Sequence, residues 1–300
     1  MKQTTLLDYK ERMLRVLVFI QQNLDEKLDI EELAEIACFS MYHFHRMFRG
    51  MLGESIREYI RRLRLERAAS RLKHSDMQIV SIALEAGYES HEAFTRAFKV
   101  LGGVAPSEFR ERNGTMGQLP ATSGVHYHET EPPSDFIPVV SGGESMEIKF
   151  EVLEPMRVAF VRHVGPYSEC GEAWDKVTTE LGSKGLIDSQ AKFVGLCHDD
   201  PEVTPPQKVR YDACVTVDRN FVPEGEMGVQ EIEGGEYAVV THFGAYGKFG
   251  ETYAKLLGEW LPRSGRALRT APCLEVYLND PEGTDPEDLL TDIYAPLEPR

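Results

Sequence analysis

Two stretches, AEIACFSMYHFHRMFRGMLGESIREY (34–59) and ALEAGYESHEAFTRAFKVLGGVAPSEF (83–109), share one template at an offset of 50 residues. Phe44, Arg46, Phe48, Gly53 and Tyr59 align with Phe94, Arg96, Phe98, Gly103 and Phe109; Ala34/Ala37 align with Ala83/Ala86, with one residue slipped in the turn. In each unit the paired alanines permit close helix approach, a three-to-four-residue turn follows, and Ser40 or Ser90 stands as N-cap of a second helix. This is helix-turn-helix spacing, written twice.

The second helix of each unit has two faces. Phe44, Phe48 and Leu52, or Phe94, Phe98 and Leu101, fall at core spacing, and the opposite stripes are Tyr42, His45, Arg46, Arg49 and Glu92, Thr95, Arg96, Lys99. A groove-inserting helix would present such stripes to base edges and phosphates, whereas a single polar stripe most often only faces solvent. Between the units, 55–73 opens with the capping box Ser55-Ile-Arg-Glu58 and contains no Gly or Pro, which predicts one rigid helix. At 1.5 Å per residue it spans roughly 28 Å, near the ~34 Å turn of B-DNA. Residues 40–73 carry nine basic and three acidic side chains, a candidate phosphate-facing surface.

Outward from this repeat the chemistry changes. Residues 1–113 balance 18 Lys+Arg against 17 Asp+Glu, whereas 114–300 hold 15 against 32, a net of −17 within a chain of −16. The turn-forming run 113–145 reads as a linker, and its Asn113 sequon is without consequence in a cytosolic protein. Beyond Met146, alternating strands (KFEVL, RVAFVRHV, VRYDACVTV, EYAVVTHF, CLEVYLND, LLTDIYAPL) with two helical stretches give an α+β signature. The fold class is therefore multidomain: an all-α N-terminal part with two helix-turn-helix units joined by a long helix, then an α+β domain.

That α+β domain carries its own repeat. HVGPY (163–167) and HFGAY (242–246) lie 79 residues apart, and Trp174 and Lys176 match Tyr253 and Lys255 at the same offset, which predicts a duplicated unit with a cleft between halves. The helical aromatics Trp174, Tyr253 and Trp260 read first as core. In 273–279, Leu274, Val276 and Leu278 alternate with Glu275 and Tyr277. Glu275 reads either as a solvent-facing strand position or as the acidic floor of a cleft walled by Tyr167, Tyr211, Tyr246, Tyr277 and Trp174. Such a cleft would favour lipophilic cations.

On these residues the sequence resembles two families. The A-x-x-A…S-x-x-x-F-x-R-x-F-R unit, the YIRRLRLERAASRL helix and the IALEAGYES…FTRAFK…PSEFR block resemble AraC/XylS-family bacterial transcription regulators over 8–112. The resemblance implies base or phosphate contacts at Tyr42, His45, Arg46, His91, Glu92, Thr95 and Arg96. Glu92 is the weaker contact, since a carboxylate can accept from a cytosine amino group but is repelled by phosphate, so the second unit is expected to touch its groove less closely than the first. The arrangement HVGPY…RYDACVTV…HFGAY…CLEVYLNDP…LLTDIYAPL resembles GyrI-like effector-binding domains over 146–300. It implies a duplicated βαββ fold with a central small-molecule cleft and its acidic residue at Glu275.

The domains expected are 1–112 for DNA binding, 113–145 as linker and 146–300 for the effector. The partners expected are double-stranded DNA and a small effector, with RNA polymerase as a further candidate and no membrane, in the cytoplasm. No catalytic residue, metal or cofactor is assigned: the five cysteines are scattered without a C-x-x-C pair, His126 and His128 lack further ligands at metal spacing, and Gly244, Gly247 and Gly250 lack a phosphate-loop context. Two rivals stay open: a hydrolase using Glu275 as general base, and a ligand-sequestering protein.

Overall fold

The computed structural model describes residues 2–112, 120–140, 146–199, 201 and 204–299, so the Asn113 sequon lies outside the described residues. The chain packs as two compact units, one of 7–39 with 48–140, the other of 1–6, 40–47 and 141–300. Helices run in the order α1 (Lys2–Gln22), α2 (Ile30–Ala37), α3 (Met41–Leu52), α4 (Ile56–His74), α5 (Ile79–Glu85), α6 (His91–Gly102) and α7 (Pro106–Glu111). Helix α3 is shared by the two units, its first half belonging to the second.

In the helical unit the ends of helices are set by local chemistry. Asp29 accepts the Glu31 amide at 2.9 Å to start α2, which stops at Cys38 with φ 53°. Ser55 and Glu58 exchange capping bonds at 2.9 and 3.3 Å, the predicted box, and fix the start of α4. Ser90 caps α6, and Gly103 ends it at φ 77°. The second helix-turn-helix closes over Leu65, Leu72, Ile82, Phe94, Phe98 and Phe109, with the three phenylalanines in ring contact at 5.4–5.6 Å.

The basic run of α4 is only in part a surface. Arg62 is 5% exposed and grips Glu54 (2.6 and 3.1 Å), Glu66 (3.0 Å) and the Val125 carbonyl (2.9 Å). Arg64 donates to the Leu24 and Glu26 carbonyls, and buried Arg67 pairs with Asp25 and the Glu85 carbonyl. Arg57, Arg61 and Lys73 are the exposed members of the run. A charge count cannot separate the two groups, because a guanidinium that holds a fold and one that faces phosphate are the same letter.

The turn-rich stretch read as a linker is, over 120–140, a strap packed on this unit. Ser123, Val125 and Phe136 are buried, Glu66 receives the Tyr127 amide at 2.7 Å and lies 3.0 Å from His126 Nδ1, and Gln21 binds the carbonyls of His128 and Glu131. Val139 donates to the Met51 carbonyl at 2.9 Å. Gly53, the residue that follows α3, at φ 78°, leaves room for Thr122 and Val139, which a Cβ there would meet at 3.0 Å.

The second unit is built on one antiparallel sheet of β1 (Lys149–Leu153), β2 (Met156–Val164), β3 (Phe193–Cys197), β4 (Arg210–Thr216), β5 (Gly228–Ile232), β6 (Gly235–Phe243), β7 (Leu274–Tyr277) and β8 (Leu290–Pro296). The spatial order is β1-β6-β8-β7-β3-β4-β2-β5. Strands β2-β4-β3 and β6-β8-β7 are equivalent halves that meet at β3–β7, and each half's edge is closed by the strand preceding the other half, β5 on β2 and β1 on β6. Helix α8 (Gly171–Ser183) serves one half. In the other, α9 (Phe249–Tyr253) runs through a π-helical stretch, Ala254–Trp260, into α10 (Leu261–Ser264).

The sequence repeat has a structural cause. Gly165 donates to the Val209 carbonyl and Gly244 to that of Leu289, while His163 and His242 each reach the carbonyl three residues on, at 3.0 and 3.3 Å. Strands β3 and β5 were not anticipated. FVGLC is short, apolar and broken by Gly195, and GVQEI is a polar edge, so neither shows the alternation that marks the other strands.

On the sheet face opposite Tyr211, Asp212 is fully buried and accepts two bonds from Arg162 (2.7 and 2.8 Å), one from Gln230 (3.0 Å), and lies 2.8 Å from His198 Nε2. Burial pushes its carboxyl up, but the bonds from Arg162, His198 and Gln230 outweigh this and hold it at about 2.

Removing Arg62 strands two carboxylates and a carbonyl. Arg62→Ala should lower the urea-unfolding free energy by about 3–5 kcal/mol, against under ~0.5 for exposed Lys73→Ala. Equal small losses would show that the strap anchor carries no stability. Asp212, with its pKa depressed in the fold, contributes fully above pH 4 and progressively less as the pH falls toward 2. Between pH 5 and 2 the native chain should therefore lose about 2 kcal/mol more than Asp212→Asn. Parallel pH profiles would contradict this.

Candidate functional site

The centre of the sheet is the pair Gly195↔Glu275 on β3 and β7. Strand alternation sends Leu274 and Val276 into the apolar core on one face and turns Glu275 and Tyr277 to the other, beneath the helices. Glu275 is 4% exposed. Its Oε1 accepts from the Tyr253 hydroxyl at 2.9 Å and the Cys197 thiol at 3.2 Å, and its Oε2 accepts from Tyr277 at 2.9 Å.

The direction of every proton in this cluster follows. Tyr277 gives its only hydrogen to Glu275, so at 2.8 Å the Tyr211 hydroxyl donates to Tyr277 and in turn accepts the Trp174 indole N–H at 3.2 Å. Burial raises the phenols of Tyr253, Tyr211 and Tyr277, with the nearby Glu275 charge adding to it, so all three remain protonated donors at neutral pH.

Around this floor stand the remaining rings. Trp174 lies 5.4 Å from Tyr277 at 90°, Tyr167 lies 5.7 Å from Tyr211, and Tyr246 lies 5.3 Å from Tyr277. The Tyr167 hydroxyl is fixed on the Asp199 carbonyl. The structure thus brings together Glu275, Tyr277, Tyr211, Tyr167, Tyr246 and Trp174. Sequence reasoning left out Cys197 and read Tyr253 as core; yet Tyr253 is the repeat mate of Trp174, and that correspondence was the available signal.

Gly195 is what lets the hydroxyls meet. A Cβ there would lie 2.5 Å from the Tyr211 oxygen and 2.8 Å from that of Tyr277. Only a residue without a side chain leaves the chain of donors intact.

The first half of α3, packed in this unit, departs from expectation. Of the stripe Tyr42, His45, Arg46, Arg49, only Arg49 is exposed; His45 is 5% exposed, and the Arg46 guanidinium carbon sits 3.6 Å from the Tyr253 ring centroid. His43 is buried as well, with Nδ1 3.9 Å from the Cys273 sulfur. Desolvation, helped by the Arg46 charge, lowers its pKa to about 4. Arg46 is drawn in because the Tyr253 ring accepts its guanidinium, a partner distant in sequence that periodicity alone does not reveal. In α6, by contrast, His91, Glu92, Arg96 and Lys99 are exposed and Thr95 is half-buried.

Comparison with known proteins places both parts. Residues 146–298 match the GyrI-like small molecule binding domain, and 33–112 match a helix-turn-helix domain. The probable transcriptional regulator YgiV of Escherichia coli strain K12 is 38% identical over 111 residues, 36% of this chain and 69% of YgiV. The uncharacterized HTH-type transcriptional regulator YbfP of Bacillus subtilis strain 168 is 37% identical over 102 residues, 34% of this chain. This match spans about a third, 35%, of YbfP's own length. Among solved structures, the EcmrR–DNA complex in EcmrR-RPo is similar with TM-score 0.45 at 21% identity, covering 51% of this chain and 57% of that one.

Gly195→Ala should push Tyr211 and Tyr277 apart and cost about 1–3 kcal/mol of stability, as overpacking does. With Trp260→Phe leaving Trp174 as sole emitter, its fluorescence should shift. Gly247→Ala, whose Cβ would meet nothing within 4 Å, should change neither. An unshifted spectrum in Gly195→Ala would mean that the donor chain is not held by this close approach.

Proposed function

The chain belongs to the GyrI-like small-molecule-binding family and carries an AraC-type helix-turn-helix domain, and from that premise we propose a transcription regulator that answers a cationic, aromatic effector. The observation that carries the proposal is Glu275, a carboxylate with 4% exposure set among the rings of Tyr253, Tyr277, Tyr211 and Trp174. In a half-chain of net charge −17, long-range attraction concentrates cations, and the rings supply cation–π contact once water is displaced.

DNA contact is assigned to the α6 stripe, His91, Glu92, Thr95, Arg96 and Lys99, and to Tyr42, His45, Arg46 and Arg49 of α3. The proposed division is 1–112 for DNA and 146–300 for the effector, with RNA polymerase as the partner an activating regulator would meet. Among the described residues no helix is long and apolar enough to cross a membrane.

A hydrolase reading is less favoured. A general base needs a lone pair aimed at water, and both oxygens of Glu275 already accept from Tyr253, Cys197 and Tyr277.

The full chain, titrated by Trp174 fluorescence in a Trp260→Phe background, should bind benzyltrimethylammonium and lose about tenfold or more in Glu275→Gln, roughly 1–3 kcal/mol, with no change for the neutral carbon isostere. On a duplex selected from a random pool, Arg96→Ala should cost about 1–3 kcal/mol. Consumption of a bound ligand, abolished by Glu275→Gln, would overturn the regulator reading in favour of an enzyme. Indifference of the cation to Glu275→Gln would place the pocket elsewhere.

A further inference from the structure

We infer that Arg46 is the built-in ligand of the Glu275 cleft, that the cleft is shaped for planar guanidinium-type cations, and that an external cation of this class competes with Arg46 and so releases α3 for DNA. The inference rests on the cation-cleft reading above and adds to it the ligand's shape and the regulation.

Residues 40–47 pack as part of the sheet unit. The Arg46 guanidinium carbon lies over the Tyr253 ring, 3.6 Å from its centroid, and that ring's hydroxyl is bound to Glu275. The two charges act on the same groups: Tyr167, Cys197, Tyr253 and Cys273 each feel Glu275 and, in the opposite sense, Arg46. A cation thus already occupies the anionic field, and it is planar and delocalised rather than spherical.

Two neighbours make the seat specific to this helix. His43 is 2% exposed beside Cys273 and His45 is 5% exposed, while Tyr42 and Arg46 between and beside them are half-buried. The template partner of Arg46 in the second unit, Arg96, is exposed on α6. One template position is therefore used in two ways in the same chain. Arg46 belongs to the stripe proposed for DNA, and a guanidinium held on Tyr253 is not at a base edge or phosphate.

Competition then couples two sites through one residue. If Arg46 occupies the cleft with equilibrium constant K, apparent affinity for an external cation falls by the factor 1 + K, and so does affinity for DNA. A cation that binds only the vacated cleft must raise DNA affinity, and DNA must raise cation affinity equally.

The probe is phenylguanidinium, with phenylurea as its neutral planar counterpart, titrated by Trp174 fluorescence into the full chain. Arg46→Ala should bind phenylguanidinium about tenfold more tightly than the native chain, and Arg46→Met, which keeps the stem without the charge, should do the same. Glu275→Gln, which weakens the hold on Arg46, should raise affinity for a selected duplex several-fold with no ligand added. Equal phenylguanidinium affinities for the native chain and both Arg46 variants would overturn the inference while leaving the cation cleft standing. Binding to none of these chains would remove the cleft reading and, with it, the inference. Equal response to phenylurea would overturn the assignment of ligand class.

Discussion

A carboxylate at 4% exposure persists in a protein interior only when donors replace the water it has lost, and Glu275 has three, from Tyr253, Cys197 and Tyr277. Those donors come from the helix after β6, from β3 and from β7 itself, so the two halves of the duplicated sheet must join in the register that sets Gly195 beside Glu275. A slip of one residue would turn Glu275 toward Leu196, Val194 and the opposite core. The swapped edges, β1 on β6 and β5 on β2, oppose such a slip by tying each half to the strand that precedes the other. The aromatic walls then follow from the repeat, because each Gly-turn delivers one tyrosine, Tyr167 or Tyr246, to its side of the cleft.

Helix α3 gives this cleft a consequence beyond ligand capture. Its apolar stripe belongs to the helix-turn-helix pattern, and its polar stripe holds the one guanidinium that lies on Tyr253 at 3.6 Å among the described residues. Cation–π contact of a desolvated pair is worth about 2 kcal/mol, enough to bias an equilibrium by over tenfold and small enough for a ligand to reverse. The burial of a neutral His43 beside Cys273 adds apolar contact without adding a second charge to the same space.

Much of this was legible in the letters because the signals were redundant. The helix-turn-helix units announce themselves twice, the α4 start is written by Ser55 and Glu58, and the alternation Leu274-Glu275-Val276-Tyr277 puts Glu275 and Tyr277 on one face while leaving open whether that face meets solvent or a cleft. What was hidden depends on partners distant in sequence. Strand β3 is five apolar residues with a glycine whose reason is two hydroxyls on other strands. The strap over 120–140 has turn composition, yet is fixed by Arg62 and Glu66, which look like surface charges of a basic helix. Tyr253 reads as core because it is an aromatic on a helical stretch, and it is indeed buried, but against the carboxylate it serves.

If competition for the cleft governs α3, its first half leaves the sheet unit when a planar cation enters. Amide hydrogen exchange of the full chain, with and without saturating phenylguanidinium, reads that event segment by segment. Competition gives faster exchange across 40–47 together with slower exchange in β3 and β7. Protection of β3 and β7 with no change across 40–47 would contradict it, leaving a cleft that binds its ligand without moving the helix.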